Sequence, residues 1–443
     1  MSDLFFVRKI AVLLAFAMLG VACESVPIAE NTPIEDEPQQ PTEQLSYTFM
    51  LYGCGGGNLD ESFEKLCWSP TSLDDVPQNI NIVEQVAWSK GFKPKKMGGE
   101  KGSVSRYVYS HDTNSFCVEY LCDSASFSVE ESANLEDFIK WAKERAPADE
   151  YIIIFCGHGN AWHPAFDGDT RGVLRDDATG QYLGLRSIVK AVKATKTHFN
   201  MMMFASCLMG NIEYVAELSP YADYYFASNH VTSISGDELR LMVDALARMP
   251  GYNEDSIARA VEELLTIDYK EFWMWWPLSV DHTLTKCCDT HKLLLAYRRF
   301  ADRLVEVYGD NKMVIDAAMQ SSYDFMSQAF TPDEIREMDS SRMSYSYDMV
   351  DLAINIAVAV GDAQLSKAAA DVKAAAGEAI VSQRSVNVND VERVYYAINL
   401  VNSTMWAELG FEQGGYCDTR FDKATGWSRV LQMNDAVHPA FRK

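Results

Sequence analysis

The stretch that decides the fold is FNMMMFASCLMGN, residues 199–211. Its first seven residues are apolar except for Asn200, which suits a strand buried on both faces. The run stops at Ser206 and Cys207, and Gly210 precedes a segment, residues 211–218, that reads as helix. A second run of the same kind comes earlier. YIIIFC, residues 151–156, leads straight into Gly157, His158 and Gly159.

The surrounding sequence alternates in the same way. Strands are predicted over 47–52 (YTFMLY), 79–86 (NINIVEQV), 104–110 and 224–227, and helices over 136–145, 185–195 and 237–248. Strands alternating with helices predict a mostly parallel sheet covered on both faces. From about Asp289 the periodicity is mainly helical, with an alanine-rich part at 353–379 and an aromatic, turn-rich run at 414–433. The WMWW cluster, 273–276, is read as packing.

In an open parallel sheet, functional groups stand beyond the carboxyl ends of the strands. If the two apolar strands are parallel neighbours, His158 and Cys207 emerge at one edge. That pairing suits nucleophilic catalysis by a thiolate, with the histidine handling the proton. The glycines beside His158 leave room for a substrate backbone. A helix opening after Gly210 brings its positive end toward Cys207 and favours the thiolate. The backbone N–H groups of Gly159 and Cys207 are the candidate oxyanion hole.

Three plainer readings compete. A cysteine closing an apolar strand can be a small buried hydrophobe. Cys156, His158 and His163 lie close in sequence, but HExxH is absent and Cys156 should point into the sheet, so metal catalysis is disfavoured. YGCGGGN, residues 52–58, lacks both the GK[ST] ending of a phosphate loop and the third glycine of GxGxxG. It is read as a flexible turn lining the site.

The chain has 443 residues, nearly half of them hydrophobic, and a formal net charge of -24. That acidity argues against nucleic acid or anionic membrane surfaces as partners. Residues 1–22 read as an export signal. Arg8 and Lys9 precede an apolar run too short to span a bilayer, which ends LGVAC. LGVAC resembles a lipobox with Cys23 as the lipidated residue, although Gly20 stands where leucine is usual; an ordinary secretory signal is the alternative. Residues 23–46, rich in Pro, Glu, Gln and Thr, read as a flexible tether. Of ten cysteines, nine remain if Cys23 carries lipid, so at least one lacks an intramolecular partner. Cys117 with Cys122 and Cys287 with Cys288 are candidate pairs. No spacing reads as a zinc site.

HGNAW after one apolar strand and CLMGNIEYVAEL after the next resemble the clostripain-type cysteine peptidases of the caspase-like clan. YTFMLY with the following NLD, WAKERAPADEYIIIFCGHG, RGVLRDDATGQYLGL, PLSVDHT and ATGWSRVL are similar to further family segments, so the resemblance covers most of residues 47–433. It implies an α/β fold, a caspase-like α/β/α sandwich with a mostly parallel sheet. With the change of periodicity at about Asp289, the chain divides into a caspase-like catalytic domain at 47–288 and a mainly helical C-terminal region at 289–443. The resemblance also implies that His158 and Cys207 form the catalytic dyad, with no third residue strictly required. The family cleaves after Arg or Lys, using acidic residues in the substrate pocket. Ala205 and Ser206 stand here where the family has an acidic residue two before the cysteine. Asn229 and His230 follow the next strand, where another acid is usual. A buried cationic side chain needs a carboxylate, and Asp237 is the candidate to supply it.

No cofactor is required by this reading. Some family members need calcium, and Asp167, Asp169, Asp176 and Asp177 are the ligands that the resemblance offers, against a plain solvated acidic loop. Some members mature by cleavage between the two catalytic residues, where Arg171 and Arg175 lie. The expectation is an exported or lipid-anchored bacterial cysteine endopeptidase acting on peptide or protein substrates, with its Arg/Lys preference open. The alternatives are a peptidase of non-basic preference and a peptidase-like surface binding protein that has lost turnover.

Overall fold

The structure is a computed structural model. It describes residues 45–66, 76–159, 172–176, 179–230, 243, 260–261, 280–323, 325, 346–386, 399–401 and 416–433. All of these belong to one unit, Glu43–Lys443. The expected helix at 237–248 (apart from Val243), the WMWW cluster and Cys23 lie outside the described residues.

Thirteen strands are described. They are β1 (Tyr47–Cys54), β2 (Ile80–Ala87), β3 (Ser103–Ser110), β4 (Ser115–Asp123), β5 (Glu150–Cys156), β6 (Val173–Asp176), β7 (Gln181–Leu183), β8 (Phe199–Ala205), β9 (Ala222–Ser228), β10 (Val280–Lys286), β11 (Ser346–Asp348), β12 (Ile380–Val386) and β13 (Asn399–Val401). The helices are α1 (Asp60–Leu66), α2 (Ser132–Arg145), α3 (Leu185–Thr195), α4 (Ile212–Leu218), α5 (Thr290–Ser321), α6 (Met349–Val360), α7 (Ala363–Ala379), α8 (Arg420–Thr425) and α9 (Ser428–Met433). Nine strands form one sheet in the order β12-β10-β9-β8-β5-β1-β2-β3-β4. Its five central strands, β9, β8, β5, β1 and β2, run parallel. Antiparallel strands flank them on both sides.

The apolar runs are strands because both of their faces are covered. Along β8, Phe199, Met202 and Phe204 enter one core, while Met201, Met203 and Ala205 enter the other. β5 divides likewise, with Ile153 and Phe155 on one side and Ile152, Ile154 and Cys156 on the other. Cys156 therefore faces a core, as its sequence position suggested. Burying a large apolar side chain contributes roughly 1.5–3 kcal/mol, so β8 alone is a substantial share of the stability. Residues from α2 to α9 cover the first face. Phe63 of α1, together with Trp88, Val243 and Val261, covers part of the second.

The region after Asp289 is mainly helical among the described residues, with the strands β11, β12 and β13 added. Its alanine-rich part is two helices, broken where Gly361 adopts a left-handed φ of 70° and Asp362 caps α7 through Leu365 N. Directly after α7, β12 joins the main sheet beside β10. Sequence reasoning also missed β4, whose mostly exposed residues lack the usual alternation. The eight described cysteines form no disulfide with one another. Cys117 and Cys122 face β3 opposite Val108 and Val104, which places them about 13 Å apart at 3.3 Å per residue, too far for a disulfide.

One buried carboxyl group stands out. Glu84 of β2 lies between Leu51 of β1 and Tyr107 of β3 in the register. It is fully buried, and neither carboxyl oxygen has a hydrogen-bond partner among the described residues. Burial pushes its carboxyl up to about 8.

Candidate active site

β5 and β8 are adjacent and parallel, with Cys156 opposite Ala205. The residues that follow each, Gly157-His158-Gly159 and Ser206-Cys207, therefore leave the sheet at the same edge. The two turns touch. A methyl group on Gly159 would run into the Cys207 carbonyl and come within 2.8 Å of the Ser206 Cβ and 3.0 Å of the Cys207 nitrogen. Only glycine allows this approach. It brings the Gly159 and Cys207 backbones, the two candidate oxyanion donors, side by side. His158 and Cys207 are both partly accessible.

Each turn is braced. Leu174 N donates to His158 O at 2.7 Å, and Leu208 N donates to His230 O at 3.0 Å. Leu174 and Leu208 are both buried and both hold a φ of 62°. A bulky residue in that region is an outlier that its surroundings must enforce. Beneath the cysteine turn, the Tyr225 hydroxyl donates to Met209 O at 2.6 Å, and Gly210 N donates to Ser228 O at 2.7 Å. The following helix, α4, starts at Ile212.

The glycine stretch after β1 is not a loose turn. Gly55 N donates to Ala87 O at 3.0 Å, and methyl groups on Gly55 and Gly56 would strike Asp60 and the Arg175 carbonyl. Gly56 takes a φ of 66° and lies against the imidazole, since its Cβ would sit 3.4 Å from His158 Cδ2. This packing delivers Asn58, whose Oδ1 is 2.7 Å from His158 Nε2. An amide oxygen can only accept, so Nε2 carries the proton and donates. Sequence reasoning missed Asn58. The signal was present in the NLD that follows the glycines.

On the far side of Cys207, β9 ends at Ser228, followed by Asn229 and His230. Both of these side chains are buried. Asn229 donates to Thr283 Oγ1 at 3.0 Å. His230 Nε2 lies 3.1 Å from the Tyr323 hydroxyl, and the ring packs edge-on against Tyr323 and Phe325. Burial holds its imidazole down at about 3, so it is neutral at pH 7. Ala205 belongs to a core, and the buried Ser206 donates to Phe155 O at 3.5 Å. Ala205, Asn229 and His230 therefore bring no carboxylate to the positions where family members carry acids.

Asp237, Asp167, Asp169, Asp177, Arg171 and His163 lie outside the described residues. Asp176 accepts from Thr179 Oγ1 at 2.9 Å, and the Arg175 guanidinium stacks over Tyr182. Among the described residues, no group of three or more His, Cys, Asp or Glu side chains is placed to hold a metal ion.

Both elements of this architecture, the caspase-like α/β/α sandwich and the thiol–imidazole edge, point to one class of enzyme. The family model of the clostripain family matches residues 107–354, more than half of the chain, and the chain belongs to that family. It is a cysteine peptidase that hydrolyses peptide bonds. Similar solved structures share the fold. A secreted C11 cysteine protease from Bacteroides thetaiotaomicron, "iotapain", is 12% identical with a TM-score of 0.60, covering 86% of this chain and 99% of that one. A secreted C11 cysteine protease from the same organism, in complex with an irreversible peptide inhibitor, is 16% identical with a TM-score of 0.55, covering 86% and 99%. An inactive zymogen C11 protease from Parabacteroides distasonis is 11% identical with a TM-score of 0.53, covering 86% and 98%. No curated protein matches the chain.

Proposed function

We propose that the protein is an exported endopeptidase that works through His158 and Cys207. The observation that carries this reading is the contact of their two turns at the carboxyl ends of adjacent parallel strands. The Cys207 thiol gives its proton to His158, and the thiolate attacks the scissile carbonyl. The Gly159 and Cys207 amides stabilise the resulting oxyanion. The C–N bond breaks as His158 passes its proton to the leaving amine. Water then adds to the acyl-enzyme, gives a proton to His158, and releases the acid and the thiolate. Asn58 is a positioning residue. By accepting from Nε2 it leaves Nδ1 as the atom that exchanges the proton with sulfur.

These steps use no cofactor. Calcium enters only as a proposal confined to Asp167, Asp169, Asp176 and Asp177, and activity after chelation and readdition reads it. Export rests on the leader at residues 1–22, with Cys23 as the anchor or an ordinary secretory signal in its place. No helix of the described residues is long and apolar enough to cross a membrane.

Cleavage of a mixed peptide library by the protein and by its Cys207→Ala variant tests the reading. Cuts after Arg or Lys, lost in the variant, would assign the pocket carboxylate to Asp237 or another acid outside the described residues. Cuts after neutral residues, also lost, would assign selectivity to the neutral end of β9 at Asn229 and His230. Cutting retained in Cys207→Ala would overturn the dyad. No cutting by the unaltered protein, even with calcium added, would favour the binding-protein reading, which the neutral Ala205-Ser206 motivates, or a zymogen awaiting processing.

A further inference from the structure

On the side of His158 away from Cys207, a cavity of about 330 Å³ opens at the carboxyl ends of β1 and β2. Cys54 and Ala87 close those strands and line it, and Gly56 forms the wall shared with the imidazole. We propose that this cavity receives an apolar side chain from the departing half of the substrate, the residues on the carboxyl side of the scissile bond. The proposal rests on the dyad reading above.

The strand order sets the direction. Sulfur sits at the end of β8 and holds the acyl half. The imidazole sits at the end of β5 and protonates the leaving amine. The amine must therefore lie beside His158, and the rest of the departing chain continues away from β8, toward β1 and β2. The cavity is a recess on that path.

Its chemistry fits an apolar occupant. Trp88, Phe127, Val129 and Ala87 supply apolar lining, and Lys90 and Asp176 bring one charge of each sign. The polar edge of Trp88 is already satisfied, because Nε1 donates to the Tyr107 hydroxyl at 2.8 Å and the ring stacks on Phe92. The walls are fixed before any substrate arrives. Ser89 N donates to Asp60 Oδ1 at 3.0 Å, and Ser124 Oγ donates to Gly102 O at 2.8 Å. The volume lies at the small end of the range for ligand sites, roughly 300–1,000 Å³. It admits one or two side chains and no folded partner.

The test takes the best-cut acyl sequence from the library and varies the departing residues attached to it. One substrate carries an aminocoumarin amide and no further residues. The others carry Leu, Phe, Gly or Asp at each of the first two departing positions. Leu or Phe at one of those positions should raise kcat/KM about 10-fold or more over Gly, the range that filling an apolar pocket gives. Ala125→Trp and Thr179→Trp, two exposed positions of the lining, should each bring that ratio toward one. Two variants on different walls guard against one failing to fold. A protein indifferent to the departing residues, or a ratio that both tryptophans leave intact, overturns the proposal while coumarin release still reports a working dyad. Failure to cut either the coumarin amide or the peptides takes down both readings.

Discussion

Asn58 Oδ1 and His158 Nε2 lie 2.7 Å apart although a hundred residues of chain separate them. The bond fixes the ring's tautomer and its aim, and the glycine loop that carries Asn58 is itself locked against Ala87, Asp60 and Arg175. Asn58→Ala should lower kcat about 100-fold, the scale of a misaligned reacting group, with a smaller change in KM. Asn58→Asp keeps an acceptor and should recover much of the rate while moving the acid limb of the pH profile. Equal kcat and an unmoved profile in Asn58→Ala would leave the asparagine no orienting role.

Gly159→Ala tests the contact between the two turns. The added methyl meets the Cys207 peptide and must push the sulfur turn aside. Alkylation of Cys207 should slow, and peptide cleavage should fall by about two orders of magnitude. Full activity would show that the turn yields without consequence.

Glu84 makes stability fall with rising pH. Its folded value, about 8, lies above the ordinary 4.5, so the unfolded chain releases this proton first. The stabilisation is complete below 4.5 and is lost as pH climbs through 8. Glu84→Gln should flatten the thermal midpoint across that window. An unchanged slope between pH 5 and 8 would mean that the carboxyl is not held neutral.

His230 and His282 act in the opposite sense. Burial holds them at about 3 and about 4, below the ordinary 6.5. Their contribution is complete above 6.5 and is lost as pH falls toward those values. His230→Gln retains a partner for the Tyr323 hydroxyl. It should reduce acid sensitivity between pH 6.5 and 4, as read by urea denaturation at fixed pH.

The central sheet was legible because burial on both faces forces continuous apolar runs. β5 and β8 were expected at 151–156 and 199–205, and the structure has them at Glu150–Cys156 and Phe199–Ala205. β4 and β12 were not legible. An edge strand covered on few sides has no alternation to show, and β12 follows a helix with no turn signal. His158 and Cys207 could be placed at one edge from strand ends alone. Asn58 could not, because its position depends on how Gly55 and Gly56 pack against Asp60 and Arg175 rather than on any period. The neutral end of β9 was visible as missing acids, but the packing of His230 against Tyr323 and Phe325 joins segments that no local pattern connects.

His158 and Cys207 become neighbours only when the sheet closes. β1 must find β5 across the intervening β2–β4 ribbon, and β8 must pair with β5. Pairings between strands distant in sequence form slowly. Until they do, the newly made chain carries a thiol with no base beside it. If His158 and Cys207 are the working pair, the chain is therefore unarmed while it is being synthesised, and cutting power waits on the native fold.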